Sequence, residues 1–342
     1  MSEKWYEKAG QQGGIVVSSR IRLARNLKNY PFPNKASLEQ KKEIAQKVKL
    51  ALEESNSTLA NSFSFISMEE LSQIQAVSLV EKHLISPEFA SDRKGRYLML
   101  SKDESISIMI NEEDHIRIQV LGSGLSLNEC YDTANNLDTL LDNALGFAFN
   151  NKLGYLTQCP TNLGTGMRAS LMLHVPAIEK NRSINRISGN LTKLGMELRG
   201  TFGEGSDAKG SLYQLSNQIT LGLSEHNAIE NLKNIASQLI EQEEKSLAEM
   251  AKSIETQDVI YRSLALLKSA KLMSNDEAMK LISNVRAGMF TGVIKNTDYA
   301  MLNRLNEQIQ PATLMTVEGK ELSPQQRDIK RAEILNREFG RI

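Results

Sequence analysis

The residues whose types and spacing could do chemistry are, first, a set of arginines at strand ends and loops. The run Val17-Ser18-Ser19-Arg20-Ile21-Arg22 places Arg20 and Arg22 on one side of an extended segment and Ile21 on the other. Arg117 leaves the polar face of an alternating stretch, Arg168 follows a Gly-containing loop, and Arg199 precedes Gly200-Thr201-Phe202-Gly203. A guanidinium is a planar, permanently charged fork, so five of them suit a polyanion carrying several phosphates. Any one alone reads as an ordinary surface arginine, and only the ensemble has force. The acids Glu112, Glu113, Asp114 and Glu204 and the thiol of Cys159, just before Pro160, could hold a cation or move a proton. Taken singly they read as a solvated turn, a loop carboxylate and a small buried hydrophobe. The segment 164–169 formally matches a dinucleotide fingerprint, but its flanks establish no βαβ unit. A G-K-[ST] phosphate loop and an H-R-D catalytic loop are both missing from the sequence, so a nucleotide would have to be held by arginines.

Two textures position these groups. Up to about residue 225, short strand-like runs alternate with helices and loops. Segments 105–110 and 115–120 alternate apolar and polar residues around Glu112-Glu113-Asp114, which reads as a β-hairpin with an acidic tip. Further strands are predicted at 97–100, 155–159 and 212–221, paired antiparallel because the links are short. Helices are predicted at 38–54, 126–150 and 168–180, covering one face of the sheet and making an α+β domain over 1–225. Beyond it, 226–342 reads as a bundle of four or five helices, with capping boxes at Ser274-Asn275-Asp276-Glu277 and Ser323-Pro324-Gln325-Gln326.

Composition narrows the function classes. The 342 residues are 40% hydrophobic and 24% charged, enough apolar material for two cores. Lys+Arg 41 balances Asp+Glu 41, which disfavours general nucleic-acid binding. Two cysteines, Cys130 and Cys159, fit a reducing compartment, and the four histidines show no zinc spacing. The start carries no apolar signal core and no run approaches the roughly 20 residues of a membrane span. A soluble cytoplasmic protein is the expectation.

Taken together, SSRIRLARN (18–26), NEEDHIRI (111–118), CPTNLGTGMR (159–168) and RGTFGE (199–204) resemble the phosphagen kinase, or ATP:guanido phosphotransferase, family, in its order and at its spacing. The resemblance covers most of residues 15–225 and implies a glutamine synthetase-like catalytic fold. It implies that Arg20, Arg22, Arg117, Arg168 and Arg199 hold the phosphates of ATP. The nucleotide site would run through Ser18, Ser19, Arg20, Ile21 and Arg22, through Arg168, Ala169, Ser170, Leu171 and Met172, and through Arg199, Gly200, Thr201, Phe202, Gly203 and Glu204, with His83 near the base or ribose. Glu113 and Glu204 would grip the guanidinium of the substrate, with Cys159 against it. Mg²⁺ would accompany the nucleotide through its phosphates and water, Glu112 being an outer-shell contact. No protein-built metal site is implied.

Two departures sharpen the expectation. The SSRIR motif begins at residue 18, leaving no room for the N-terminal helical domain that encloses small guanidino substrates, and the helices after 225 are an addition. Both features resemble bacterial protein-arginine kinases. Those carry an R-D-x-x-R-A motif that binds phosphoarginine and regulates the enzyme, matched here by Arg327-Asp328-Ile329-Lys330-Arg331-Ala332. Arg327 and Arg331 are i,i+4, so both forks could reach one face and clasp a phosphate, with Asp328 taking the guanidinium. The resemblance further implies a homodimer formed through the helical domain, protein substrates, a zinc-binding activator protein, a heat-shock transcription repressor and the Clp unfoldase machinery as partners. A kinase of free arginine, and an inactive adaptor that sequesters a repressor, are the alternatives.

Overall fold

The computed structural model of the chain describes residues 3–55, 62–200, 208–295 and 298–341. The chain runs β1 (Val16–Arg25), α1 (Leu38–Glu53), β2 (Phe63–Ser67), α2 (Gln73–Glu81), α3 (Pro87–Ser91), β3 (Tyr97–Ser101), β4 (Ile106–Ile110), β5 (Ile116–Ser123), α4 (Leu127–Leu145), a small hairpin of β6 (Phe149–Asn150) and β7 (Gly154–Tyr155), β8 (Met167–His174), α5 (Pro176–Lys180), α6 (Ile184–Lys193), β9 (Met196–Gly200) and β10 (Leu212–Asn217). Among the described residues six helices follow: α7 (Glu225–Met250), α8 (Ile254–Ser269), α9 (Asn275–Phe290), α10 (Tyr299–Gln308), α11 (Pro311–Glu318) and α12 (Pro324–Phe339).

Eight strands form one sheet in the order β2-β3-β4-β5-β1-β8-β10-β9. Every pairing within it is antiparallel. One face of the sheet carries Ile21, Leu23, Ile118, Val120, Ala169, Leu171 and Leu215, all buried against α1, α4 and α7. Burial of this face is the principal driving force of the domain. The opposite face, read by strand alternation, carries Arg20 and Arg22, Arg117 and Gln119, Arg168 and Ser170, Gln214 and Ser216, and Glu197 and Arg199.

The hairpin at β4–β5 forms as the alternation predicts. Its tip differs from a solvated turn: Asp114 is buried, accepting from Asn26 Nδ2 at 2.6 Å and from the Gln158 amide at 2.8 Å. Asn111, at positive φ, donates through Nδ2 to the Lys41 and Gly95 carbonyls. The tip is therefore clamped, and the two glutamates on it are aimed.

Two expectations are corrected. The helix predicted at 168–180 does not form as such: 167–174 is the strand β8, and only Pro176–Lys180 is helix. The residues of β8 alternate, with Met167, Ala169, Leu171 and Leu173 in the core and Arg168, Ser170 and Met172 on the arginine face, and pairing with β1 and β10 on either side holds it extended. Of the strand predicted at 155–159, only Tyr155 belongs to a strand, the two-residue β7. The boundary at 225 also needs a physical restatement: Ala228, Ile229, Leu232, Ala236, Leu239 and Ile240 of α7 are part of the sheet's core. A second core begins with α8, where Ile260, Leu267, Ile282, Val285, Leu302, Leu305, Leu335 and Phe339 pack together. Ser323 and Gln326 close the reciprocal capping box at α12, and Ser274 caps α9 through the Glu277 amide. None of the helices among the described residues is long and apolar enough to cross a membrane.

Candidate active site

The arginine face of the sheet opens into a cleft of about 880 Å³. Register builds it. Arg22 of β1 pairs with Gln119 of β5 on one side and Arg168 of β8 on the other, while Arg20 pairs with Ser170. All five predicted arginines, together with His83, Glu112, Glu113 and Gly200, line this one cleft.

Its electrostatics are those of a charge nest. Burial, then repulsion from Arg168 and Arg117, brings Arg20 down to about 10. Burial and the neighbouring arginines hold Arg22 well below the usual guanidinium range. Arg168 is lowered for the same first reason, burial. His83 is pushed down to about 4 by burial and then by Arg20, so it is neutral near pH 7. Each of these shifts measures a cost that a bound polyanion would relieve.

Polar side chains hold the forks in place. Arg20 donates to Gln214 Oε1 at 2.5 Å and to Ser170 Oγ at 3.3 Å. Arg168 donates to Ser216 Oγ, and both Arg168 and Arg199 pair with Glu197. Glu197 bridges two of the five arginines and was missed from sequence. Its signal was available, since position 197 is two residues from Arg199 and shares its strand face.

Glu112 and Glu113 take different roles. Both oxygens of Glu112 are engaged, one by Ser86 Oγ and the other by Arg117 Nη1 at 2.6 Å. Glu113 is half-exposed, 3.7 Å from Arg117 Nη2 and 3.5 Å from Asn162 Nδ2. Burial, then the Asp114 charge, raises its pKa, while Arg117 and a hydrogen bond with Cys159 pull the other way. Cys159 precedes the short turn Pro160–Asn162, and its sulfur lies 3.0 Å from Thr161 Oγ1. A carboxylate thus lines the arginine cleft, with the Cys159 sulfur beside it.

Several predicted nucleotide-site residues contribute backbone only. Ile21, Ala169 and Leu171 point into the core on the opposite face. Ser19 is buried, with Oγ donating to the Gly124 carbonyl at 2.7 Å. Ser18 and Met172 lie on the arginine face but line a separate small cavity with His83. Strand alternation is the reason for Ser19, Ile21, Ala169 and Leu171. Thr201, Phe202, Gly203 and Glu204 lie outside the described residues.

In the last helix, the expectation of two forks on one open face is corrected. Arg331 is buried; its Nε donates to the Ile309 carbonyl at 2.9 Å and its Nη1 to the Met273 carbonyl at 2.8 Å, and Asp328 pairs with it at 2.7 Å. Ala332 packs into the helical core. Arg327 is half-buried, close enough for its charge to depress Arg331. Four residues span slightly more than one turn, so Arg331 can face inward while Arg327 reaches the edge.

An arginine nest lined by a carboxylate is the arrangement that suits a phosphotransferase with a cationic nitrogen acceptor. The family profile "ATP:guanido phosphotransferase, C-terminal catalytic domain" matches residues 43–246, and "Protein-arginine kinase McsB C-terminal domain" matches 253–342. The protein-arginine kinase of Halothermothrix orenii is 46% identical over 333 residues, 97% of this chain and 95% of that one. That of Caldanaerobacter subterraneus subsp. tengcongensis is 43% identical over 329 residues, 96% and 97% of the two chains. Among solved structures, lombricine kinase superposes with a TM-score of 0.61 at 26% identity, covering 72% of this chain and 71% of that one. The duplicated taurocyamine kinase from Schistosoma mansoni, with transition-state-analogue components bound, gives 0.61 and 26%, covering 79% and 40%. The chain belongs to the ATP:guanido phosphotransferase family and, within it, to the protein-arginine kinases.

Proposed function

We propose that this chain transfers the γ-phosphoryl group of ATP to the guanidino group of arginine side chains in other proteins. The observation that carries the reading is the convergence of Arg20, Arg22, Arg117, Arg168 and Arg199 with Glu113 on one cleft. In the reaction a bond forms between a guanidino nitrogen and phosphorus, the bond from phosphorus to the β–γ bridging oxygen breaks, and ADP leaves. The arginine nest neutralises charge on the phosphates and fixes their line of approach. Glu113 holds the acceptor's N–H groups, and its raised pKa suits it to take the proton the nitrogen must lose. Cys159, hydrogen-bonded to Glu113, borders the same acceptor position, and Glu204 is the second carboxylate of this reading. Mg²⁺ bound to the nucleotide would supply further charge neutralisation. With both Glu112 oxygens engaged by protein groups, that ion would rest on phosphates and water.

The reading extends to regulation and location. The RDIKRA segment would bind phosphoarginine, supported by the mutual repulsion of Arg327 and Arg331, which an anion would relieve. Homodimerisation through the helical domain, a cytoplasmic setting and a role in protein quality control under stress belong to the same proposal. So do a zinc-binding activator, a heat-shock transcription repressor and the Clp unfoldase as partners. The test is incubation with ATP and either an arginine-rich protein or free arginine, followed by mass spectrometry at neutral pH. Phosphoarginine in the protein is the expected result, and label on the free amino acid alone would overturn the protein-substrate reading.

A further inference from the structure

Helix α11 begins without a side-chain cap of its own: Gln310 stands at the N-cap and makes no capping bond. The first amides of a helix need acceptors, and a carboxylate is the strongest available. Here it comes from the catalytic domain. Glu81, the last residue of α2, accepts from the Ala312 amide through Oε1 at 2.9 Å, and through Oε2 from the Thr313 amide at 2.7 Å and Thr313 Oγ1 at 3.0 Å. Ser78, one turn earlier, contacts the same hydroxyl at 3.1 Å.

Two residues after Glu81 the chain reverses. His83 takes φ 57°, and its amide returns to the Val80 carbonyl at 2.9 Å. The carbonyls of His83 and Leu84 both accept from Gln119 Nε2, at 2.9 and 3.2 Å. Gln119 is the register partner of Arg22. The turn that presents His83 to the cleft is thus tied to the sheet on one side and, through Glu81, to the helical domain on the other. The far end of α11's entry is held by Arg331, whose Nε donates to the carbonyl of Ile309, the C-cap of α10. Polar contacts joined by short stretches of backbone therefore lead from the RDIKRA segment to the strand that carries the arginine nest.

We infer that Glu81 is a positioning residue through which the seating of helix α11 sets the place of His83, and with it the affinity of the cleft for the nucleotide. The inference rests on the cleft's being an ATP site, as proposed above, and adds the route by which the helical domain acts on it. It does not require that the RDIKRA segment bind phosphoarginine.

The experiment uses the full chain and Glu81→Gln, which keeps the size of the side chain and one acceptor oxygen but removes the charge from the start of α11. Equilibrium affinity for ATP is measured by calorimetry, and KM and kcat with a protein substrate by phosphoarginine formation. Glu81→Gln is expected to weaken ATP binding about tenfold, and to raise KM for ATP in parallel, with kcat at saturating ATP and KM for the protein within about twofold. In the double variant Glu81→Gln/His83→Ala, affinity should match His83→Ala alone, because the two changes act through one contact. Wild-type ATP affinity in Glu81→Gln, or fully multiplying losses in the double variant, overturns the inference. A general loosening of the fold would instead move kcat and both KM values together. Should Glu81→Gln fail to fold, Thr313→Val deletes only the hydroxyl contacts and is expected to weaken ATP about threefold; no change there is equally fatal. A wild-type protein that binds ATP but makes no phosphoarginine would sink the protein-arginine reading and leave this coupling standing.

Discussion

Glu113→Gln keeps the shape of the side chain and removes its charge where an acceptor cation would sit. A guanidinium about 4 Å from a carboxylate gains about 4 kcal/mol at an effective dielectric of 20. Glu113 is half-exposed, and solvent screening cuts the retained part to about 2 kcal/mol, or about 30-fold. Loss of a positioned proton acceptor adds about 10²-fold or more. The expected fall in kcat/KM for the protein substrate is therefore on the order of 10³-fold. ATP affinity should hold, because Arg20, Arg168 and Arg199 keep their partners among Gln214, Ser170, Ser216 and Glu197, and Arg117 keeps Glu112 at 2.6 Å. The same variant tests the proton. Because the Glu113 pKa is raised, activity should fall as pH drops through a value above the ordinary carboxylate range. Glutamine should abolish that acid limb. The assay is neutral-pH mass spectrometry of phosphoarginine across a pH series, with ATP affinity measured in parallel. Turnover within threefold of wild type, or an unchanged acid limb, would refute the assignment of Glu113 to the acceptor.

Asp138→Ala would strand the buried Arg25, which pairs with it at 2.8 Å and stacks on Tyr155 at 3.4 Å, so stability should drop by about 3–5 kcal/mol in a denaturant titration. Gly166→Ala meets both a φ of 60° and a Cβ that would lie 2.6 Å from Arg25 Nη1 and 2.7 Å from the Ala24 carbonyl. A loss of about 2–3 kcal/mol, read as a lower Tm, is expected. Glu307 is half-buried, with Oε2 shielded from solvent, near Glu104, Glu81 and Lys82, and desolvation raises its carboxyl to about 8. The folded state therefore holds a proton that the unfolded state releases near pH 4.5. Its contribution is fully present below that pH and is lost at up to about 1.4 kcal/mol per pH unit as pH rises towards 8. Glu307→Gln should flatten that part of the stability–pH curve, and an unchanged curve would refute the burial argument.

What could be read in the chain's order of residues was chemistry and local form. Alternation at 105–120 is a local signal, and the hairpin formed as read. The guanidinium forks, the CPTNLGT segment and the capping box at Ser323 are equally local, because residue type and near spacing fix them. Tertiary structure decided what depends on partners distant in sequence. Strand β8 alternates Arg168, Ser170 and Met172 with Ala169, Leu171 and Leu173, but its extended form rests on pairing with β1 and β10, which are distant in sequence. Helix α7 looks like any amphipathic helix, and only packing puts its stripe under the sheet. Arg331 turned inward because the carbonyls of Ile309 and Met273 lie there, and neither is near it in sequence. Glu81 and the start of α11 lie 231 residues apart. No local pattern announces such a pair, since a cap needs only an acceptor at the right place in space and is indifferent to the route by which the chain brings it.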